Sequence, residues 1–345
     1  METKKNIIYL CDAEKKASGG AKIIYQHSQI INSFTGYSSE VLHIKLKKSA
    51  KWKISLTKKI GLSNSSHHGW QLNQIKALVN FKHNWFHNKI MIKNNFNFNP
   101  SKDLVILPEI YAHLAEDLCI KKNISYGIFV QNGYSINSSS NLKSISNVYN
   151  NAKFILSYSK DINECIQLNF PNITKKIINI NISINSKKFT FNNKKRNLIT
   201  YMSRKLPNHS SKVISILKRY LPLKWKIKDL NNISEKEVYR NLNQSKIFLS
   251  FSELEGLGIP PLEAALFNNH VIGYIGEGGK DYWKKPIFTK ISSGDIKKFV
   301  HEIVKKVKNK NFTNKNLAVQ RKKIRENYSL KKETISLKKF LRKII

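Results

Sequence analysis

Two carboxylates, Glu255 and Glu263, flank a glycine- and proline-rich turn in the stretch Ser252-Glu253-Leu254-Glu255-Gly256-Leu257-Gly258-Ile259-Pro260-Pro261-Leu262-Glu263. A carboxylate accepts two hydrogen bonds from a vicinal diol, so acids in this pattern suit a hydroxyl-rich ligand. Upstream, Met202-Ser203-Arg204-Lys205 sets two cations just after the apolar run Leu198 to Tyr201, where they can meet negative charge that develops during a reaction. The elements that must hold these groups are readable around them. Ser245 to Phe251 is short, apolar and bounded by turn signals, as a buried parallel strand is. Pro260-Pro261 suits the first positions of a helix, where a missing N–H costs nothing. Strand, turn and helix start then place Glu255 at the carboxyl end of the strand and Glu263 in the first helical turn, toward the crevice where open α/β sheets bind ligands. The plainer reading makes Glu263 a complement to the helix dipole and Glu255 a solvated loop residue. It leaves the Gly-x-Gly-x-Pro-Pro between them without a purpose.

The fragment resembles the Glu-x7-Glu signature of the retaining, metal-independent GT-B glycosyltransferases, the group 1 or family 4-like enzymes that use nucleotide-diphosphate sugars. The resemblance is specific from about Leu198 to Trp283 and looser before it. It implies an α/β fold of two facing Rossmann-like domains with parallel sheets and a C-terminal crossover helix. For the site it implies Glu255 on the donor sugar's hydroxyls, Glu263 on the ribose hydroxyls, and the turn Gly256-Leu257-Gly258 along the donor. Lys205 and Arg204 would meet the departing diphosphate, as the family motif is also basic at this point. The implied reaction is a retaining, front-face substitution in which the leaving diphosphate helps to accept the acceptor's proton. The implied partners are a nucleotide sugar and a glycan or lipid-linked acceptor, in the synthesis of bacterial surface polysaccharide such as lipopolysaccharide, O-antigen or capsule.

Other positions follow from strand ends. Gly276-Glu277-Gly278-Gly279 comes just after the strand His270 to Tyr274, and its Gly278 and Gly279 can turn backbone N–H groups toward phosphate or sugar. Gly19-Gly20, after the first strand, is similar to the glycine pair that lines the diphosphate and acceptor side in this group; a plain flexible loop is the other reading. In Gln131-Asn132-Gly133 many relatives carry a histidine, whereas Asn132 is neutral and orients a hydroxyl without acting as a base. Glu109, after Leu107-Pro108, is a further acid on the acceptor side. No Asp-x-Asp occurs, and metal-dependent transferases generally anchor their ion with paired acids. No cofactor and no metal are therefore expected, with cationic side chains and helix N-termini taking the ion's place.

The pattern along the chain alternates strands with helices, which argues for doubly wound parallel sheets. In the first half the strands are Asn6–Cys11, Val41–Ile44, Asp103–Leu107, Gly127–Gln131, Phe154–Ser157 and Ile177–Ile180, with a helix over Ala21–Phe34. The polar run Asn185 to Arg196 reads as a linker, after which the pattern restarts. Strands Leu198–Tyr201 and Trp225–Ile227, with helices Ser210–Tyr220 and Ser234–Asn243, lead into the glutamate turn, and a helix over Asp295–Val307 follows. The expected domains are 1–190 on the acceptor side, 191–325 for the nucleotide sugar, and a basic amphipathic helix at 326–345 that packs back on the first. Lys47 to Ser66 reads as a basic loop. The adjacent His67 and His68 point in different directions on any regular element, which argues against a metal site there.

The chain of 345 residues carries a formal charge of +39, with lysines spread along its whole length among many asparagines. Such charge draws a protein to nucleic acid or to an anionic membrane surface, or it reflects drift toward Lys, Asn and Ile in an AT-rich genome. A non-enzymatic basic binder would gather basic and aromatic residues on one element. The spread found here favours drift, and no specific nucleic-acid partner is expected. The lysines flanking the apolar face of the last helix would also suit an anionic membrane surface. No apolar run approaches the roughly 20 residues of a membrane span, and the start is too short for a signal-peptide core. The expected location is cytoplasmic, peripheral at the inner face of the membrane. Cys11, Cys119 and Cys165 are odd in number and far apart, so neither a disulfide framework nor a zinc site follows from them.

Overall fold

The computed structural model describes residues 4–13, 18–47, 71–84, 89–137, 142–184, 195–309, 312 and 315–344. Most of the basic stretch from Lys47 to Ser66, the His67-His68 pair and most of the expected linker, residues 185–194, lie outside the described residues. The chain forms two compact units: Met1–Tyr158 with Ile162–Asn181 and Thr334–Ile345, and Ile182–Glu333 with Ser159–Asp161.

The first unit is built on β1 (Lys5–Asp12), β2 (Tyr37–Leu46), β3 (Ile75–Ala77), β4 (Met91–Lys93), β5 (Asp103–Pro108), β6 (Ser125–Phe129), β7 (Ile155–Ser157) and β8 (Ile177–Asn179). Their order is β3-β2-β1-β5-β6-β7-β8, with β4 also paired to β2, and only the β2–β3 pair is antiparallel. All six residues of β5 are buried, which is why this strand reads from Leu104 on as an apolar run rather than an alternation. Helix α1 (Gly19–Ile31) follows β1 and is capped by Ser18, whose hydroxyl accepts from the Ala21 N–H. The glycine pair thus opens the helix rather than ending the loop before it. The further helices counted with this unit are α2 (Ala115–Leu118), α3 (Leu142–Asn151) and most of α4 (Lys160–Asn169).

The second unit holds a five-stranded parallel sheet of β9 (Leu198–Tyr201), β10 (Lys226–Asp229), β11 (Ile247–Glu255), β12 (His270–Glu277) and β13 (Phe288–Lys290), in the order β10-β9-β11-β12-β13. Its helices are α5 (Pro207–Leu217), α6 (Glu235–Gln244), α7 (Ile259–Leu266), α8 (Ile296–Asn309) and α9 (Lys315–Asn327). Ile199, Leu249, Tyr274 and Phe299 meet in its core. Ser234 and Glu237 form a capping box at the start of α6. At its end, the Lys195 ammonium donates to the carbonyls of Leu242 at 3.0 Å and Ser245 at 2.8 Å, and to that of Phe267, so one cation satisfies the orphan carbonyls where α6 and α7 both finish.

The last helix, α10 (Leu330–Ile344), turns Leu337, Phe340 and Leu341 inward, and Phe340 packs edge-on against Phe154 of the first unit with ring centroids 4.8 Å apart. Leu330 and Ile335, two further apolar residues of this helix, are exposed, which leaves a narrow stripe of contact. Among the described residues no helix is long and apolar enough to cross a membrane.

Candidate functional site

In each sheet the chain reverses its direction of winding at one point, and ligands of open α/β sheets bind at the carboxyl ends of the strands beside that point. In the second unit the point lies between β9 and β11, since the chain goes from β9 to β10 on one side and returns to β11 on the other. Met202-Ser203-Arg204-Lys205 leaves the end of β9, and Glu255 ends β11. The Lys205 ammonium lies 3.1 Å from Glu255 Oε1, both side chains being partly exposed. Arg204 is exposed on the same loop. The loop is pinned from the neighbouring strand: Asp229, the last residue of β10, accepts from the Ser203 hydroxyl at 2.5 Å, and the Asn231 amide donates to that hydroxyl.

The glutamate turn differs from expectation in two details. The strand does not end at Phe251 but runs on to Glu255, after a register shift against β12 that re-forms at the pair Glu255–Glu277. Leu254 in that bulge has φ +40° and Glu277 has φ +61°, two non-glycine residues held in a costly backbone region next to the candidate site. The helix begins at Ile259 after Gly258, which caps it at φ +78°, so Glu263 falls in the second turn rather than the first. A dipole-complementing role needs an acid in the first turn, and none is there. Glu263 is instead buried, and its Oε1 accepts from the Tyr239 hydroxyl at 3.0 Å. Burial, then the charges of Glu263 and Glu235, push the Tyr239 pKa far up, so the hydroxyl stays a donor.

The glycines are packed against this turn. A Cβ on Gly278 would lie 2.4 Å from the Gly256 carbonyl and 2.5 Å from the Glu255 oxygen, which no backbone relaxation easily removes. The Tyr282 hydroxyl donates to the Gly258 carbonyl at 2.7 Å, and Ser159 donates to the Gly256 carbonyl at 2.7 Å. Leu257 is buried beneath the turn, and Gly279 sits against Ile275 and Trp283. Glu255, Lys205, Gly256, Leu257, Gly258, Gly278 and Gly279 are therefore one local assembly, with Glu263 one turn further along α7.

In the first unit the winding reverses between β1 and β5. Gly19 and Gly20 follow β1, Glu109 follows β5, and Asn132 follows β6. Three of them are joined through Gln131, whose side-chain amide donates to the Gly20 carbonyl at 3.1 Å. Glu109 is fully engaged: its two oxygens accept from the backbone N–H groups of Gln131 at 2.9 Å and Asn132 at 3.1 Å. Burial raises its pKa to about 7 against the opposing pull of these N–H groups. The Asn132 side-chain oxygen Oδ1 accepts from the Tyr134 N–H and shapes the turn that follows. Gly19 is exposed at the first position of α1 and belongs to none of these bonds.

Sequence reading missed Asp229, Tyr239, Tyr282 and Ser159. Each acts on a site loop from a distant part of the chain, and a lone Asp, Tyr or Ser gives no local pattern. Asp229 alone had a signal, as an acid at the end of the short strand that follows Trp225.

No protein-family model and no curated protein matches the chain. Solved structures do. Sucrose-phosphate synthase from Thermosynechococcus elongatus superposes with a TM-score of 0.68 at 9% identity, over 99% of each chain. HepE from Anabaena, in complex with UDP and glucose, gives 0.67 at 9% identity, over 98% of this chain and 100% of its own. The pneumococcal O-GlcNAc transferase GtfA, in complex with UDP and GlcNAc, gives 0.61 at 13% identity, over 99% of each. At these identities the likeness is one of fold: the α/β chain has the GT-B fold.

Proposed function

We propose that the protein is a glycosyltransferase that moves a sugar, of hexosyl type, from a nucleotide-diphosphate donor to a glycan or lipid-linked acceptor in surface-polysaccharide synthesis. The observation that carries this reading is the Lys205–Glu255 pair, a cation and a diol-binding acid 3.1 Å apart at the switch point of a parallel sheet. The UDP and sugar complexes of HepE and GtfA, which share the fold, support it.

In this reading Glu255 accepts from the donor sugar's hydroxyls and Glu263 from the ribose hydroxyls. The backbone of Gly256, Leu257, Gly258, Gly278 and Gly279 lines the donor. Lys205, with Arg204, stabilises the diphosphate as the anomeric C–O bond breaks, because its charge meets one that grows toward the transition state. The acceptor oxygen forms its bond on the same face, and its proton passes to the departing phosphate oxygen, which retains the anomeric configuration. Gly19, Gly20 and Asn132 serve the acceptor side, with Glu109 holding the Asn132 loop. The diphosphate departs onto cationic side chains without a metal ion, a reading that rests on the missing Asp-x-Asp and on Lys205. The protein works in the cytoplasm, and its basic surface holds it at the inner face of the membrane.

The test is a panel of nucleotide sugars scored for protection against thermal unfolding, since a ligand at 100 times its dissociation constant adds about 2.7 kcal/mol. One nucleoside diphosphate series should protect, and its sugar should be transferred with excess chelator present. Protection by no nucleotide would overturn the assignment. Activity lost on chelation and restored by manganese would overturn the metal-free departure.

A further inference from the structure

We propose that Cys11, His43 and His83 form a buried metal site that takes zinc. Cys11 and His43 are register partners on the adjacent parallel strands β1 and β2, so their side chains emerge on one face of the sheet. His83 arrives from the segment after β3. One ligand atom from each of the three lies within 4.8 Å of the others, so small inward movements bring all three to a shared ion. Cys11 and His43 are fully buried and His83 is 5% exposed.

The surroundings resemble those of metal-bound imidazoles, whose second nitrogen is held by an outer partner that fixes the ring. His43 Nε2 is 2.7 Å from the Tyr25 hydroxyl, and His83 Nε2 is 2.8 Å from the Asp12 carbonyl. The His83 backbone N–H also donates to Tyr25, at 3.1 Å, so one tyrosine orients both histidines. With Nε2 so used, Nδ1 is the nitrogen that His43 has left for an ion. His43 Nδ1 is buried without a hydrogen-bond partner. Either tautomer leaves that nitrogen unmatched, as a proton without an acceptor or a lone pair without a donor. A metal ion takes the lone pair. One thiolate with two imidazoles is a borderline-soft donor set of the kind zinc prefers. The site does not depend on the transferase reading. Its ligands belong to the first unit, and its effect is structural, tying the segment around His83 to the end of β1 that leads to Gly19 and Gly20.

Loading balances as one S–H bond broken, one S–Zn bond formed and one proton released to buffer, the burial-raised thiol being protonated beforehand. The ordinary alternative is a packed aromatic group, for Phe81 and Tyr25 lie edge-on to His43 with centroids at 5.0 Å and 5.5 Å. Cobalt(II) separates the two. The full chain, stripped with chelator and dialysed, should bind one equivalent of cobalt with visible d–d bands and a near-ultraviolet thiolate-to-cobalt band, and zinc should bleach both. Cys11→Ser should lose the thiolate band. Tyr25→Phe should keep it while weakening affinity by about 10–100-fold, as loss of an outer-shell partner does. A wild-type protein that binds cobalt without a thiolate band, or not at all, overturns the site whatever the variants do. A band that survives in both Cys11→Ser and His83→Gln places the ion elsewhere and overturns it equally.

Discussion

Glu255 ends and Glu109 directly follows a central parallel strand at the switch point of its sheet, and the fold uses the two in opposite ways. Glu109 is 4% exposed, and both its oxygens are taken by the backbone N–H groups of Gln131 and Asn132. It holds a loop in shape and offers nothing to a ligand. Glu255 is more open and faces a cation on another loop, Lys205, which in the proposed function the donor's diphosphate would draw away. The difference teaches how to weigh an acid at a strand end. A carboxylate whose acceptor sites go to main-chain N–H groups is scaffold, because breaking those bonds exposes unsatisfied buried donors. One matched to a partly exposed side chain can exchange its partner for a ligand without stranding a buried donor.

The largest expected effect tests the open side of this contrast. Lys205→Ala should lower turnover by about 100-fold, the scale of removing one preorganised donor, while binding of the intact donor weakens less. Steady-state kinetics with the donor found by the thermal screen decide it. Wild-type turnover would make Lys205 one solvated lysine among many and remove the diphosphate from this loop.

Next comes the rigidity beneath Glu255. Gly278→Ala puts a methyl group within 2.4 Å of the Gly256 backbone, and since backbone cannot rotate away as a side chain can, the turn must shift. Overpacking of this kind costs about 1–3 kcal/mol, visible as a lower denaturant midpoint at unchanged m-value. Gly36→Ala is the control for steric contact, as nothing lies near its Cβ although its positive φ carries a strain of its own. Gly278 has no positive φ of its own, so a loss there no larger than that of Gly36→Ala would mean that the turn accommodates the methyl group and that contact with the Gly256 backbone does not require glycine.

How far the sequence reveals all this follows from how far apart the partners lie. Buried parallel strands such as β1, β5 and β11 are apolar runs, and the glutamates, glycines and prolines of the turn are consecutive, so both were legible. The edge strands β3, β4 and β13 have three residues each, too few for any period to register. Helix α3 hides its apolar positions, Ile145, Val148 and Tyr149, among asparagines, yet their spacing is helical. The supports of the site are a different matter. Asp229 reaches Ser203 across 26 residues, Tyr239 reaches Glu263 across 24, and Ser159 reaches Gly256 across 97. Such pairs are created by sheet order, which no local pattern encodes. Cys11, His43 and His83 are gathered by the same long-range pairing, and their spacing matches no ligand motif.

A smaller effect is expected at Glu263. Glu263→Gln keeps the shape but removes charge-assisted bonds, so calorimetry should show nucleoside-diphosphate affinity falling about tenfold. Tyr239→Phe, which loses only the hydroxyl that holds Glu263, should give a milder loss in the same measurement. Unchanged affinity in Glu263→Gln would take the ribose away from this residue and class Glu263 with Glu109 as scaffold.

The smallest effect lies on the scaffold side and has a definite sign. Burial lifts the Glu109 pKa to about 7, above the ordinary value of 4.5 that it regains on unfolding. Between those values the folded chain holds a proton that the unfolded chain has lost, so the stability this group contributes is present below pH 4.5 and declines as pH rises to 7. The decline is at most about 1.4 kcal/mol per pH unit crossed, and above pH 7 it stops. Glu109→Gln cannot titrate, so its thermal midpoint, measured from pH 5 to 8, should lack this component and gain on the wild type as pH rises toward 7. Its absolute stability should be lower throughout, because a Gln amide turns an N–H₂ toward one of the two backbone donors and leaves it unmatched. Parallel pH profiles for the two proteins would mean that Glu109 is already ionised at pH 5. The Gln131 and Asn132 N–H groups would then outweigh burial, and the carboxylate would be a charged anchor for its loop rather than a titrating one.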